Sequence, residues 1–258
     1  MSDPRLELTY EGEIARLTIR RPDKLNALDA EMMAALVGLA HEVEQSSARV
    51  LILQGEGGRA FSAGGDIAAW SAETPEAFGR HWVRDGHVAL DALAQLAIPV
   101  IAAIDGHCLG GGLELAATAD YRIAEAQVTF GQPETRIGII PGWSGTQRAV
   151  RRFGAQIVRR MALFGEVLTA AEAEAAGIVD KVVPEGQAGA AALALAEQVL
   201  DRAPRATELT KMLINAAEGE EGGRILESLA GSIAAASDDL QLGLAAFRAK
   251  RKPDFRRR

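Results

Sequence analysis

The chain has very few of the residues that build disulfides and metal centres. Its 258 residues include one cysteine, Cys108, and four histidines. A single cysteine excludes an intramolecular disulfide and a thiolate metal cluster. The histidines show neither the HExxH nor an HxH spacing, so no zinc ligand set is visible. The sequence therefore predicts a protein that holds no metal.

Long apolar runs are also missing. Stretches such as residues 96–104 are far shorter than the roughly 18 residues that a membrane helix needs. The first five residues are not followed by the apolar segment of a secretory signal. We therefore expect a cytoplasmic protein that does not enter a membrane.

Basic residues are outnumbered by acidic ones, 28 against 35, which gives a formal net charge of −7. Binding to nucleic acid requires clustered Lys and Arg that neutralise phosphates, so this balance counts against it. One exception is the basic tail, which predicts either a solvated helix end or a patch for an anionic ligand. The tail contains Arg248, Lys250, Arg251, Lys252, Arg256, Arg257 and Arg258.

Apolar residues make up 48% of the chain, and buried strands alternate with amphipathic helices in its first part. The predicted strands are residues 14–19, 50–53, 100–104, 121–124, 128–130 and 178–183, and helices are predicted after Asp29 and over 89–97. This alternation predicts an α/β layer structure. From residue 187 to 250 we predict three helices, separated near Pro204 and near residues 219–223, whose apolar faces need a partner subunit or the main body. We therefore divide the chain into a core, 1–186, and a C-terminal helical oligomerisation region, 187–258.

Two glycine-rich segments, residues 61–66 and 106–114, each follow a predicted buried strand. Glycine lets a ligand approach the backbone, and free N–H groups at a helix start attract negative charge. Two such loops side by side could form an oxyanion hole, although they could also only allow close packing. Neither segment contains GxGxxG or a P-loop, and residues 142–146 miss the GxSxG pattern because position 146 is Thr.

Two carboxylates accompany these loops. Glu114 is the only charged residue between Asp105 and Asp120, and Glu134 follows a Pro-fixed turn. Each could be an ordinary solvent-exposed carboxylate. If they meet beside an oxyanion hole, one can act as a base while the other holds a proton, because like charges push their pKa values apart.

These residues are carried in an order that resembles the enoyl-CoA hydratase/isomerase (crotonase) family along essentially the whole chain. The matching pieces are Arg21-Pro22 with Asn26-Ala27-Leu28, residues 63–66, residues 110–112 with Glu114, residues 130–134, residues 138–142, residues 145–148, residues 175–179 and residues 250–255. The resemblance implies a spiral of ββα units followed by a C-terminal helical trimerisation region, and assembly to a homotrimer or homohexamer.

The resemblance also implies the roles of individual residues. The backbone N–H groups of Ala63 and Gly111 would form the oxyanion hole for the thioester oxygen of an acyl-CoA, and Glu114 and Glu134 would be the catalytic pair. Arg21, Lys24 and the Lys250 region would lie near the CoA phosphates. The expected substrate-binding residues are Lys24, Ala27, Ala63, Gly64, Gly65, Asp66, Ile67, Gly110, Gly142, Trp143 and Lys250.

The sequence therefore predicts an enoyl-CoA hydratase that adds water to a trans-2-enoyl-CoA without a cofactor, since coenzyme A is part of the substrate. The first alternative is an isomerase that moves the double bond between C3 and C2, which requires only one carboxylate, or another acyl-CoA enzyme of the same family. A non-catalytic oligomeric RNA-binding protein is the alternative from another class. Trp143-Ser144 stands where a small residue and then glycine are common in the family, which puts a simple straight-chain substrate in doubt.

Overall fold

The structure is a computed structural model that describes residues 3–220 and 222–255. Its strands are β1 (Leu6–Glu11), β2 (Ile14–Ile19), β3 (Val50–Gly55), β4 (Ala60–Ser62), β5 (Val100–Ile104), β6 (His107–Leu109), β7 (Tyr121–Glu125), β8 (Thr129–Gly131), β9 (Leu168–Thr169) and β10 (Lys181–Val183). Its helices are α1 (Ala30–Gln45), α2 (Ile67–Trp70), α3 (Pro75–Ala77), α4 (Arg84–Ala94), α5 (Gly111–Ala116), α6 (Arg148–Phe153), α7 (Ala155–Phe164), α8 (Ala170–Ala175), α9 (Ala188–Leu200), α10 (Pro204–Ala217), α11 (Gly222–Ala235) and α12 (Asp238–Arg248). A π-helical turn, Phe78–Val83, leads into α4, and 3₁₀ turns occupy Pro22–Lys24 and Glu134–Ile137.

The strands form two sheets. From β3 onward, each successive pair of strands contributes one strand to each sheet, whereas β1 and β2 both belong to the larger sheet. One sheet has the order β1-β2-β3-β5-β7-β10 and the other β4-β6-β8-β9. All neighbours in the first sheet are parallel except β1 and β2, and in the second only β8 and β9 are antiparallel. The predicted α/β spiral of ββα units is confirmed.

Both faces of the central strands β3, β5 and β7 are buried, as the apolar runs of β3 and β5 predict, whereas the edge strand β1 is largely exposed. Leu51 and Leu53 of β3 join the core that also contains residues of α1 and α4. Ile52, from the same strand, points to the opposite face and packs in a second cluster with Ala192 and Ala196 of α9. Alanine at these helical positions lets α9 lie close to the sheet.

The helix predicted after Asp29 is confirmed as α1, and side-chain caps account for the starts of α1 and α8. The side chain of Asp29 accepts a hydrogen bond from the N–H of Met32 at the start of α1. Thr169 and Glu172 form a reciprocal capping box at α8, the arrangement that satisfies two free N–H donors of a helix.

The C-terminal part differs from the sequence prediction. Four helices, α9 to α12, replace the predicted three, because Ser237 caps a new helix where no break was expected. The chain divides into two compact units at Lys211, and α9 belongs to the first because it covers the sheet. The predicted boundary at residue 186 between a core and an oligomerisation region stays a prediction. The second unit, Met212–Arg258, contains α11 and α12.

The structure describes the basic tail only in part. Arg256, Arg257 and Arg258 of the basic tail lie outside the described residues. Among the helices described, none combines the length and the apolar character needed to cross a bilayer.

Candidate active site

The residues of the predicted site follow the ends of three neighbouring parallel strands. β4 ends at Ser62, β6 at Leu109 and β8 at Gly131, and these strands are adjacent in the order β4-β6-β8. The glycine loops and the turn that carries Glu134 follow directly. Because parallel strands place their carboxyl ends at one sheet edge, segments far apart in sequence meet there.

Glu114 lies on the buried helix α5 and is only 2% exposed. The N–H groups of Trp143 and Gly145 donate hydrogen bonds to its Oε1 at 2.7 Å and 2.6 Å. Burial and the nearby charge of Glu134 raise its pKa to about 8, against the lowering effect of the two N–H groups. The predicted charged group on an apolar stretch is therefore a buried carboxyl and not a solvent-exposed one.

Glu134 begins the 3₁₀ turn that follows Pro133, and it is 8% exposed. Within the part of the chain that the structure describes, neither of its carboxyl oxygens has a hydrogen-bond partner. Burial raises its pKa to about 7. A carboxyl with free lone pairs facing a cavity is suited to accept or donate a proton to a bound molecule.

The two glutamates line one cavity and differ in their contacts. Glu114 is anchored through Oε1 by the 143–145 backbone, whereas Glu134 has no such anchor in the described residues. Since each carboxylate disfavours ionisation of the other, the pair near neutral pH can hold one proton between two acceptors. This is the state that acid–base chemistry on a neutral substrate requires.

The raised pKa of Glu114 predicts a stability change with pH. Its folded-state pKa, about 8, is above the ordinary value of 4.5, so the native state binds the proton more tightly than the unfolded chain. This contribution is full below the unfolded pKa and is lost as pH rises through the folded pKa. We expect Glu114→Gln, whose amide oxygen can keep both N–H contacts, to gain thermal stability relative to wild type between pH 5 and pH 9. The difference in unfolding free energy should grow by up to about 1.4 kcal/mol per pH unit.

Thermal unfolding of both proteins across that pH range checks this expectation. A constant difference between wild type and Glu114→Gln at every pH would contradict a raised pKa for Glu114.

The structure contradicts one predicted oxyanion donor. The N–H of Ala63 donates to the carbonyl of Leu25 at 2.9 Å, so it is not available to a ligand. Gly65 pairs with Leu28 in a parallel bridge in which the flanking residues, Gly64 and Asp66, make the hydrogen bonds. Among the described residues, no acceptor faces the N–H of Gly65 or of Gly111. Gly65 therefore replaces Ala63 beside Gly111 as the candidate donor.

The two loops touch, so their free N–H groups can serve one oxygen. A Cβ at Gly64 would lie 2.7 Å from the nitrogen of Gly111, and a Cβ at Gly111 would lie 3.2 Å from the Cα of Gly64. Glycine is required at position 64 because the two backbones approach closely, and at position 111 because the Trp143 ring lies closer still, 2.7 Å from an added Cβ. The two glycine-rich loops therefore lie side by side, and in the first of them the free N–H group belongs to Gly65 and not to the predicted Ala63.

A cavity of about 180 Å³ opens over the two glutamates. Of the expected binding residues, it is lined by Ala63, Gly65, Ile67, Gly110, Gly142 and Trp143, together with Gly111 and the two glutamates. All three tryptophans of the chain, Trp70, Trp82 and Trp143, line it as well. The rings of Trp82 and Trp143 are 5.0 Å apart, and those of Trp70 and Phe78 are 5.2 Å apart.

Sequence analysis missed most of this aromatic wall. Trp70, Phe78, Trp82 and Arg136 line the cavity but lie in segments for which we predicted no role. The only signal in the sequence is that the chain has three tryptophans. Their spacing along the chain does not show that they meet, and ligand pockets are often lined by aromatic side chains that do.

Four expected binding residues of the first unit, Lys24, Ala27, Gly64 and Asp66, do not line the cavity. Lys24 is exposed at the end of its 3₁₀ turn, and Ala27 is buried. Asp66 binds Arg21 at 2.8 Å and caps α2, so it shapes the loop beside Gly64. Lys250 follows α12 in the second unit, with φ +50.

One group of acidic residues has the spacing of a metal site. Asp3, Asp29 and Glu31 bring carboxylate oxygens together in the described part of the chain. Arg5 forms ion pairs with all three. The guanidinium therefore supplies the positive charge that these carboxylates require.

Comparison with known sequences identifies the family. The model of a family described as enoyl-CoA hydratase/isomerase matches residues 9–258. The short-chain-enoyl-CoA hydratase of Clostridium acetobutylicum is 37% identical over 209 residues, which cover 81% of this chain and 80% of that protein. The crotonyl-CoA hydratase of Syntrophomonas wolfei is 33% identical over 261 residues, which cover 99% of each.

Solved structures give the same result for the fold. An enoyl-CoA hydratase from Bacillus anthracis has a TM-score of 0.79 at 30% identity, with 97% of this chain and 98% of that chain covered. DspI of Pseudomonas aeruginosa has a TM-score of 0.82 at 32% identity, with 99% and 98% covered. These similarities confirm the predicted crotonase-like fold and, at the level of the family, the predicted hydratase-type enzyme. This chain belongs to the enoyl-CoA hydratase/isomerase family.

Proposed function

We propose that this protein is an enoyl-CoA hydratase acting on a trans-2-enoyl-CoA thioester. The observation that carries the proposal is the pair of buried carboxyls, Glu114 and Glu134, facing one cavity beside the free N–H groups of Gly65 and Gly111. The relatives named hydratases support it. The catalytic roles of the two glutamates and the binding roles of the two N–H groups are proposed with it.

The proposed chemistry follows from this placement. The N–H groups of Gly65 and Gly111 donate hydrogen bonds to the thioester oxygen and stabilise the negative charge that develops on it. One glutamate takes a proton from water as the water oxygen bonds to C3, and the other donates a proton to C2. The proton count balances, since one carboxyl gains the proton that the other loses. No cofactor enters, because coenzyme A is part of the substrate.

Two buried carboxyls favour hydration over isomerisation. Moving a double bond transfers a proton that one carboxylate can carry, so the second buried carboxyl would have no task and would still cost free energy to bury. The same pair counts against a non-catalytic RNA-binding role. Lys24, Ala27, Asp66 and Lys250 remain predictions for contacts with coenzyme A, and a cytoplasmic location also stays a prediction.

The test is a panel of 2-enoyl- and 3-enoyl-CoA esters offered to the purified protein. Loss of the absorbance of the conjugated thioester reports hydration, and its appearance from a 3-enoyl ester reports isomerisation. Hydration should be the faster reaction. Isomerisation without hydration, or no reaction across the panel, would overturn the proposal.

We also propose assembly to a homotrimer or homohexamer. Within the second unit, Leu226, Ile233 and Phe247 are 68%, 74% and 82% exposed, and Phe164 of the first unit is 81% exposed. Exposed apolar side chains in such number are typical of an interface between protein chains. Sedimentation equilibrium at micromolar concentration should give the mass of three or six chains. A stable monomer of 27.3 kDa would contradict this.

A further inference from the structure

The segment that anchors Glu114 is itself held by one helix. Trp143 and Gly145, whose N–H groups bind Glu114, flank Ser144. The Oγ of Ser144 lies 2.9 Å from Nδ1 of His87, on α4. This is a polar contact between a helix and the residue between the two N–H donors.

Two more contacts join the same helical segment to the same loop. The indole Nε1 of Trp143 donates to the carbonyl of Trp82 at 3.0 Å, one turn before His87. Arg148 binds Asp91 at 2.5 Å, one turn after it. The three contacts therefore fix the loop at successive turns of one helix face, with His87 in the middle.

Ser144 has a backbone conformation that serine rarely adopts. Its φ is +80°, and its side chain is buried, with 5% of the residue exposed. A non-glycine residue in the left-handed region is strained and persists only when its surroundings hold it. The hydroxyl contact with His87 is the one side-chain hydrogen bond that the structure gives Ser144.

We propose that Ser144 and His87 are positioning residues that hold the 143–145 backbone so that two N–H groups converge on Glu114 Oε1. The proposal rests on the proposed function only for its kinetic consequence, because the geometry concerns the carboxyl of Glu114 itself. His87 acts through Ser144, and neither residue lines the cavity.

The charges around both groups are compatible with this role. Burial lowers the pKa of His87, with Asp91 raising it and Arg148 lowering it further, so the ring is neutral near pH 7. Neutral Nδ1 can then accept the hydroxyl proton of Ser144. Glu114 is faced by Glu134 and Arg148 as well as by the two N–H groups. Loss of those N–H groups removes a stabilisation of the ionised carboxylate, so the pKa of Glu114 must rise.

The variants follow from the strain at position 144. His87→Ala and Ser144→Ala each remove the contact and keep a non-glycine residue at φ +80. The double variant His87→Ala with Ser144→Gly removes the contact and the strain together, because glycine adopts this φ without cost. Val88→Ala is the matched control, since Val88 is next to His87 on α4 and is 55% exposed.

We expect His87→Ala and Ser144→Ala to lower kcat by roughly 10- to 100-fold, the effect of a displaced catalytic group, with KM little changed. In both variants, the part of the pH–rate profile that reports ionisation of Glu114 should shift to higher pH. The double variant with Ser144→Gly should recover most of the lost kcat, and Val88→Ala should match wild type. An unchanged kcat and pH limb in folded His87→Ala, or no recovery in the double variant, would overturn the proposal.

A second readout does not depend on activity. The protonation of Glu114 can be followed by carboxyl ¹³C NMR in the ligand-free protein, with Glu114→Gln identifying its resonance. The pKa should rise in His87→Ala and Ser144→Ala and return in the double variant. Absence of hydration in wild type with this pattern intact would overturn the proposed function alone, whereas an unmoved pKa would overturn the positioning role alone.

Discussion

Glu114→Gln is expected to lower kcat for hydration of a 2-enoyl-CoA by about 10²- to 10⁴-fold, the usual contribution of a positioned acid or base. The amide has nearly the same volume as the carboxyl and keeps an oxygen for the N–H groups of Trp143 and Gly145. It cannot exchange a proton at the working pH. The loss should therefore fall on kcat, while the Kd of an acyl-CoA remains near the wild-type value.

Glu134→Gln should give a loss of similar size, and the double variant should lose less than the product of the two. The reason is that the two carboxyls act on one water and one double bond, so removing either disables the unit. Steady-state kinetics and calorimetric binding of a saturated acyl-CoA measure the two quantities separately. Glu185→Gln, in the exposed turn after β10, is the control and should leave both unchanged.

Near wild-type hydration by Glu114→Gln would show that Glu114 is a structural residue. The reaction assigned to the cavity would then be wrong, because only Glu134 would remain to move protons.

Gly111→Ala should lower kcat/KM by roughly 10²- to 10³-fold, comparable to removal of one oxyanion-hole donor. A Cβ at Gly111 would lie 2.7 Å from Cζ3 of Trp143, too close for any real contact. The indole is itself fixed through Nε1 by the carbonyl of Trp82. The first turn of α5 must therefore shift, and the N–H of Gly111 shifts with it.

Trp143→Ala provides the matched test of that cause. Trp143→Ala removes the ring that the new methyl group at position 111 would meet. Gly111→Ala should therefore lower kcat/KM by a smaller factor in the Trp143→Ala protein than in wild type. Gly38→Ala, at an exposed helical position where a Cβ meets nothing within 4 Å, controls for the substitution itself. Strictly additive effects of the two changes would contradict a steric origin.

Local interactions account for the parts of the fold that were predicted correctly. Strand β5 spans the predicted residues, and α1 begins after its predicted cap, because each depends on neighbours within a few residues. The prediction of three helices in the C-terminal part was wrong because it relied on glycine and proline to mark the ends of helices. Residues 236–237 lack the glycine or proline that marks the other breaks, and the cap by Ser237 has few sequence marks.

The candidate site was predictable only in part. The two glycine loops stand out from residue type and order, whereas the residues alone left solvent exposure open for both glutamates. The family resemblance is what indicated the glutamates as a pair. The choice of Ala63 over Gly65 failed, because the parallel bridge to Leu28 decides which N–H groups are engaged. That pairing joins segments more than thirty residues apart, at positions 28 and 65.

The sequence by itself determined the alternation of buried strands and helices, the cap of α1 and the two glutamates that we propose as the groups that move protons. These depend on local periodicity and on side-chain chemistry. Only the tertiary structure decided which N–H groups are free, that the three tryptophans meet at one cavity, and that Ser144 holds a left-handed conformation beside His87. Each of these depends on contacts between segments far apart in the sequence, such as those where the parallel strands β4, β6 and β8 end at one sheet edge, and no local pattern encodes them.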